Sequence, residues 1–391
     1  MSNILILDGN QRSALATTRS LGKKDCIIYV VDSTPQSLAG CSKYCTKYIQ
    51  SINILTNPRQ FTEEIKDIAT KFDINIILPM TDISTATILK QREQFANIGI
   101  PAPSYESYNQ ASNKNYLFKL AISLGIPVPK TIFIDHINEI EHKLNDLTYP
   151  VVIKPSKSRV LINNHWISTQ VSYAYSHDDL QHQIQDSQWL QSFPFMVQEY
   201  IQGDGHGTFT FYERGRPIAF FAHKRLREKP PSGGVSVLRE STPVNPLMQE
   251  ISKKLLGHIG WHGAAMIEFI VSNDGTPYLI EINGRFWGSL QLSIDAGIDF
   301  PHLAYLLATN KPLPTNINYR PHIRSRWLLG DLDHLYLTLK SDNKKISLPE
   351  KFSAVIEFMK FYQKNTHYEV NRLNDIKPFI YELKNYFKTS A

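Results

Sequence analysis

The residues best suited to chemistry lie in one short stretch, 262–289, HGAAMIEFIVSNDGTPYLIEINGRFWGS. Two apolar runs, Ala264–Val271 and Pro277–Ile282, flank Asn273, Asp274, Gly275 and Thr276. An Asp-Gly pair tolerates the positive φ angles of a type I′ turn, so the stretch reads as a hairpin. With Asp274 and Gly275 as the two turn residues, Asn273 pairs with Thr276 and Glu268 falls opposite Glu281. Their Cβ atoms would then lie about 4.5–5.5 Å apart on one face. Asn283 projects from the same face two residues later, and Arg285 follows Gly284. Two facing carboxylates in apolar strands require positive charge between them. Mg²⁺ suits them, because it binds one or two carboxylates and completes its shell with phosphate and water. A Lys or Arg partner, or a bulge that breaks the register, is the competing reading of any single hairpin.

Cations precede this hairpin at several points. Lys114 stands in the first turn of a helix whose apolar spacing runs through Tyr116, Leu117, Leu120, Ala121 and Leu124. A cation there opposes the helix dipole unless it shares an anion with the free N–H groups. Lys154 ends the apolar run YPVVIK, where a half-buried ammonium needs a counter-anion. Lys224, Arg225, Arg227 and Lys229 lead into PPSGG, a stiff then flexible loop suited to a lid over anionic groups. The run FMVQEYI, 195–201, is a strand that continues into Gln202-Gly203-Asp204-Gly205-His206-Gly207. That glycine spacing is no phosphate cradle and reads as a crossover between subdomains, with Glu199 and Ile201 as an edge for a flat heterocycle. His206–Tyr212 and Pro217–His223 form another hairpin.

Strands and helices alternate over residues 1 to about 110. Strands are expected at Asn3–Asp8, Cys26–Val31 and Asn75–Pro79, and helices at Gln11–Leu21, Arg59–Phe72 and Thr85–Phe95. This is the rhythm of a parallel sheet covered by helices. No G-x-G-x-x-G is present, which argues against a nicotinamide oxidoreductase. Arg12, Asp32, Thr81 and Asp82 fall at strand ends, where such sheets bind ligands. A loop rich in Pro, Ser, Tyr and Asn marks a boundary at Gly99–Ser112.

The chain has 391 residues, three cysteines and a formal net charge of +6. That length accommodates several domains. The charge is too diffuse for a nucleic-acid partner, and Cys26, Cys41 and Cys45 read as reduced structural residues. No apolar run is long enough to span a membrane, and the N-terminus reads as a strand and not a signal peptide. A cytoplasmic protein is expected.

Taken together, Lys114, Lys154, the strand Gln198–Ile201, Glu268 and the E-x-N-x-R set Glu281, Asn283 and Arg285 resemble the ATP-grasp superfamily. The likeness covers about residues 1–310. The segments EINGRFWGS and PPSGG…RES look most like the carboxylate–amine ligase branch, near carbamoyl-phosphate synthase domains and D-aspartate ligases. It implies an α/β (α+β) protein. Residues 1–110 would be a Rossmann-like domain. Residues 111–315 would enclose ATP between a lid subdomain at about 125–198 and a metal-binding subdomain at about 199–315. A partly helical extension, 316–391, would follow. It implies that Lys114, Lys154, Glu199, Tyr200, Ile201 and Asp204 bind ATP, with Asp204 toward the ribose. Glu268, Glu281 and Asn283 would bind Mg²⁺ or Mn²⁺, and Arg285, Lys224 and Arg227 would be catalytic. The segment between Lys154 and Trp166 lacks the glycines of many relatives, and Glu199 stands where the hinge usually carries a Lys. The implied activity is ADP-forming ligation of a carboxylate and an amine, amino-acid or peptide-like, through an acyl-phosphate. A kinase or a non-catalytic ATP sensor are the rival readings. No nucleic acid or membrane partner is implied, and the oligomeric state stays open, a homodimer included.

Overall fold

Apolar runs separated by helices pack at the N-terminus as the sequence rhythm predicts. The computed structural model describes residues 1–24, 26–144, 147–157, 159–162, 165–231, 234–340 and 348–389. Strands β1 (Asn3–Ile6), β2 (Ile27–Asp32), β3 (Lys47–Gln50) and β4 (Ile76–Leu78) form a parallel sheet in the order β3-β2-β1-β4. Helices α1 (Arg12–Gly22), α2 (Pro58–Lys71) and α3 (Asp82–Lys90) connect or follow them. The sequence did not announce β3, because KYIQ is a short, largely exposed edge strand. Nor did it announce α4 (Tyr105–Ser112), which lies in the expected loop. Ser104 caps α4 by accepting the Ser107 amide, and Tyr108 and Ala111 are its buried face. Packing outweighs the weak helix propensity of YESYNQAS. Helix α5 (Lys114–Ser123) follows, capped by Asn113.

The next strands are β5 (Thr131–Ile134), β6 (Val151–Pro155), β7 (Arg159–Ile162), β8 (His165–Ser168), β9 (Ser172–Ala174) and β10 (Phe195–Glu199). An antiparallel sheet runs β5-β10-β6-β9, while β7 and β8 pair as a separate hairpin. That hairpin is the segment between Lys154 and Trp166, of which Ser158, Asn163 and Asn164 lie outside the described residues.

The largest sheet contains β11 (Gly203–Glu213), β12 (Arg216–Lys229), β13 (Val235–Thr242), β14 (Gly263–Ser272), β15 (Pro277–Asn283), β16 (Arg324–Arg326) and β17 (Thr366–Tyr368). Its order is β15-β14-β11-β12-β13-β16-β17. Residues 203–207, expected as a crossover, are instead the start of central strand β11. They pair with β14 along their whole length, and β12 joins from His206, which leaves only 200–202 as connection. The expected extension, 316–391, does not sit beside this sheet. It supplies β16 and β17, each three residues long and too short to show a period in sequence.

Two cores bind the parallel sheet to the large one. Ile4, Ile6 and Val30 pack with Phe209, Phe221 and Trp287, whereas Leu5 and Ile77 pack with Ile267, Leu279 and Trp261. A third core, including Val151, Ile153, Phe195 and Val197, belongs to the small sheet.

Arg19 of α1 fastens the C-terminal segment. Its Nε donates to Asp375 Oδ2 at 2.8 Å, and its other nitrogens donate to the main-chain oxygens of Glu369, Val370 and Asp375 at 2.8–2.9 Å. Removing one partner of a buried pair strands the other charge. Arg19→Leu is therefore expected to lower the unfolding free energy by about 3–5 kcal/mol in chemical denaturation and to expose 366–389 to limited proteolysis.

Glu382, on the helix Lys377–Thr389, accepts Trp327 Nε1 at 2.7 Å, and burial pushes its carboxyl up from 4.5 to about 7. A raised folded value favours the protonated form. Its stabilising effect is complete below about 4.5 and is lost as pH rises through 7. Glu382→Gln is expected to flatten the stability profile in that window, measured as Tm against pH.

Candidate active site

The β14–β15 hairpin places Glu268 opposite Glu281 and Met266 opposite Asn283. The turn is not the expected two-residue one. Gly275 N–H donates to Ser272 O at 2.8 Å, and Ser272 N–H donates to Thr276 O at 3.0 Å, so Asn273, Asp274 and Gly275 form a three-residue loop. Gly275 takes φ +86°, the left-handed conformation that follows such a turn. Beside the loop the partners are shifted by one residue, Val271 with Pro277 and Phe269 with Leu279. A bulge at Ile280 then restores the register. The offset of the loop and the offset of the bulge cancel, and the two acids meet.

Asn283 Nδ2 donates to Glu268 Oε1 and to Glu281 Oε1, each at 3.1 Å. Each acid also has a cation. Lys114 Nζ lies 3.1 Å from Glu281 Oε2, and Arg225 Nη2 lies 3.1 Å from Glu268 Oε2. Arg225 is held in turn by Glu228 at 2.9 Å. Lys154, 7% exposed, sits beneath them next to the Phe118 ring. The Lys114 amide donates to Ser156 O at 2.8 Å, which joins α5 to the end of β6 and brings the two lysines together. Gly284 lets the chain turn against Trp261, because a Cβ there would lie 2.7 Å from the indole. Arg285 can then reach back to the parallel-sheet domain, where its Nε donates to Asp82 Oδ2 at 2.9 Å.

These contacts set the protonation states. Burial and the charge of Glu281 push Glu268 up to about 7, against the pull of Arg225. Burial also acts upward on Glu281, but Lys114, Asn283 and Lys154 outweigh it and hold the carboxyl at about 2. Burial and the neighbouring Lys114 lower Lys154 to about 8. The two acids are thus driven apart, Glu281 toward the ionised form and Glu268 toward the protonated one.

The donor set fits a hard divalent cation. Among the described residues no three His, Cys, Asp or Glu converge. Asn283 offers an amide oxygen beside the two acids. Its Oδ1 faces Arg285 at 3.4 Å, and half a turn about the last side-chain bond would aim it at the carboxylates. Two carboxylates, one amide and remaining sites for phosphate and water match the Mg²⁺ pattern. The acids keep 29% and 23% of their side-chain surface exposed, so a ligand can reach them.

Not every expected residue joins this cluster. Lys224 Nζ pairs with Glu240 at 3.2 Å and Arg227 Nε lies 3.0 Å from Asp331, both on the far face of the sheet. Asp204 alternates with Gly203 and Gly205, so it too projects away from the Glu268 face. The hinge amide of Glu199 already donates to Lys130 O at 2.9 Å, and the exposed Tyr200 ring meets Tyr173 edge-on at 6.1 Å. Ile201 lies in the connection between β10 and β11. Of the expected lid, Ser232 and Gly233 lie outside the described residues. Asp32 accepts the Asn10 and Thr34 amides at 2.9 and 3.1 Å, and Thr81 caps α3. Arg225 is the cation of β12 that reaches Glu268. It shares a face with His223, which pairs across β11 with Gly207 and thence Glu268. Counting alternation back from Glu268 would have found it, but bulges after Arg225 hide the parity further along β12.

The fold and this site are similar to those of ATP-grasp proteins. Residues 191–330 match the family described as ATP-grasp in the biosynthetic pathway with Ter operon. The chain is 23% identical over 218 residues to the carbamoyl phosphate synthase large chain of Saccharolobus islandicus, over 54% of this chain. It spans about one fifth (20%) of that relative's length. Among solved structures, the L-amino acid ligase from Bacillus licheniformis aligns with TM-score 0.65 and 14% identity over 83% of this chain and 78% of that one. N5-carboxyaminoimidazole synthetase from Staphylococcus aureus aligns with TM-score 0.66 and 15% identity over 88% and 87%. No described helix is long and apolar enough to cross a membrane.

A cation at Glu268 would have to compete with Arg225, which lies 3.1 Å from its carboxylate. Arg225→Ala is expected to tighten Mn²⁺ binding to the nucleotide-free protein at least about fivefold, since one charge a few ångströms away is worth more than about 1 kcal/mol. Titration followed by the Mn²⁺ paramagnetic resonance signal measures it. Unchanged or weaker binding would place the metal elsewhere.

Proposed function

We propose that this protein is an ATP-dependent carboxylate–amine ligase that forms an amide through an acyl-phosphate and releases ADP and phosphate. The observation that carries the reading is the Glu268–Asn283–Glu281 cluster with Lys114, Lys154, Arg225 and Arg285 converging on it. Glu268, Glu281 and Asn283 would hold Mg²⁺, which supplies charge neutralisation at the β- and γ-phosphates when bound. Lys114 and Lys154 bind phosphate oxygens. Lys114 and Arg225 rest on the acids, and with a cation held there they would turn to the nucleotide and the acyl-phosphate. Arg285, steered by Asp82, steadies the phosphoryl group in flight. The carboxylate substrate attacks the γ-phosphorus and ADP leaves. The amine then attacks the acyl carbon, expels phosphate and loses a proton.

This chemistry asks little covalent work of the protein, and positioning with electrostatic stabilisation suffices. The likeness to a solved L-amino acid ligase favours amino-acid substrates. The hinge 198–201 is the proposed adenine edge. The test is ADP and product mass with Mg·ATP and pools of amino acids. ADP and phosphate are expected only when acid and amine are both present, and Glu281→Gln is expected to lower turnover at least about 100-fold while the protein stays folded. Near-normal turnover of that variant at saturating Mg²⁺ would sink the metal assignment. A phosphorylated product without an amide would instead indicate a kinase.

A further inference from the structure

We infer that the helix Leu348–Met359 is a docking face for a second copy of this chain, which pairs antiparallel with the same helix across a two-fold axis. The pairing is independent of the ligase reading.

The helix reads LPEKFSAVIEFM, and none of its residues is buried. Leu348, Phe352, Ile356 and Met359 keep 46–83% of their surface exposed. Their spacing of four, four and three residues sets them in one stripe. The apolar surface continues beside it. Lys351 Nζ donates to Leu339 O at 3.0 Å, which draws the end of the helix Leu328–Lys340 alongside, and Leu339 and Tyr336 are exposed on that helix. The inner side is held near its end, where Arg326 donates to Phe358 O at 2.6 Å and to Lys360 O at 3.3 Å. A cavity of about 270 Å³ lies between the two helices, with Glu350, Ala354 and Phe358 among its walls.

A twelve-residue helix is marginal in water by itself, and helices in proteins draw their stability from an apolar face that packs. This one turns its apolar stripe to solvent and so lacks that cover. The stripe with Tyr336 and Leu339 amounts to roughly 600 Å², as large as the largest patches on monomeric proteins, which often serve binding. A copy seated on it would bury about 1,200 Å² from the two chains together, the size at which specific interfaces begin. The charges also favour a copy. Glu350, Lys351, Glu357 and Lys360 cancel, so the helix presents no net field to select an anionic lipid surface or a nucleic acid, and none to repel a second copy. A two-fold axis lets one patch serve both sides. Leu348 of one copy would meet Met359 of the other, with Phe352 and Val355 near the axis. The helix Leu328–Lys340 covers β12 and β13 on the face away from Glu268, where Asp331 pairs with Arg227 at 3.0 Å, so the acids stay open in such a dimer.

Sedimentation equilibrium of the full chain, up to about 100 μM, tests the pairing. A reversible dimer is expected. Phe352→Glu and Ile356→Glu are each expected to raise its Kd at least about tenfold, with the far-UV circular dichroism unchanged, because both side chains are exposed. A single-chain mass across the whole range would overturn the inference, and so would a dimer that both variants leave intact. Sedimentation of the unmodified monomer with phosphatidylserine–phosphatidylcholine vesicles would assign the face to a membrane surface and overturn it as well. Should the variants fold poorly, Val355→Cys decides. Oxidation of its thiol with copper–phenanthroline is expected to give a disulfide-linked dimer that the unmodified chain does not form, and no such band would overturn the inference.

Discussion

The opposition of Glu268 and Glu281 constrains everything around it. Two acids on facing strands repel, and a half-buried site cannot leave that repulsion to water. The compensating groups come from separate parts of the chain. Lys114 heads α5, Lys154 ends β6 in the small sheet, Arg225 crosses from β12, and Arg285 turns back to Asp82 of the parallel sheet. One acid pair therefore ties three sheets together. Loss of any one cation would leave charge uncompensated, which costs more than an ordinary surface ion pair contributes.

Much of this was legible before the fold was known. The apolar alternation around Asp274-Gly275 showed the hairpin, and Glu281 and Asn283 are two residues apart, a spacing that a strand converts directly into one face. The parallel domain was equally plain, because its strands are apolar runs between helices. Long-range partners were not. Nothing local distinguishes Arg225 from Lys224 or Arg227. The difference is the parity of β12 against β11 and β14, which two bulges obscure from Arg227 onward. The turn expectation was mistaken in its length, yet the acids met because the Ile280 bulge offset the error. Such compensation cannot be read from turn residues alone.

The C-terminal segment shows a different limit. Thr366–Tyr368 is a strand only because Arg324–Arg326 offers an edge, and that edge exists only because β13 does. Short strands of this kind are consequences of tertiary structure and not local preferences. The same segment delivers Glu369 between Arg12 and Arg239, two residues far from it in sequence and from each other.

The contact between Arg19 and Asp375 closes a span of 356 residues. A ribosome releases α1 long before it releases the residues that Arg19 holds. During that interval a buried guanidinium, and the corner of the fold around Arg12, must wait without their partners. The parallel sheet can form early, but the face that continues from Glu268 to Arg239 is finished only when Glu369 arrives. Assembly of the site thus follows the order of synthesis: the Glu268–Glu281 hairpin emerges first, and the wall around Glu369 last.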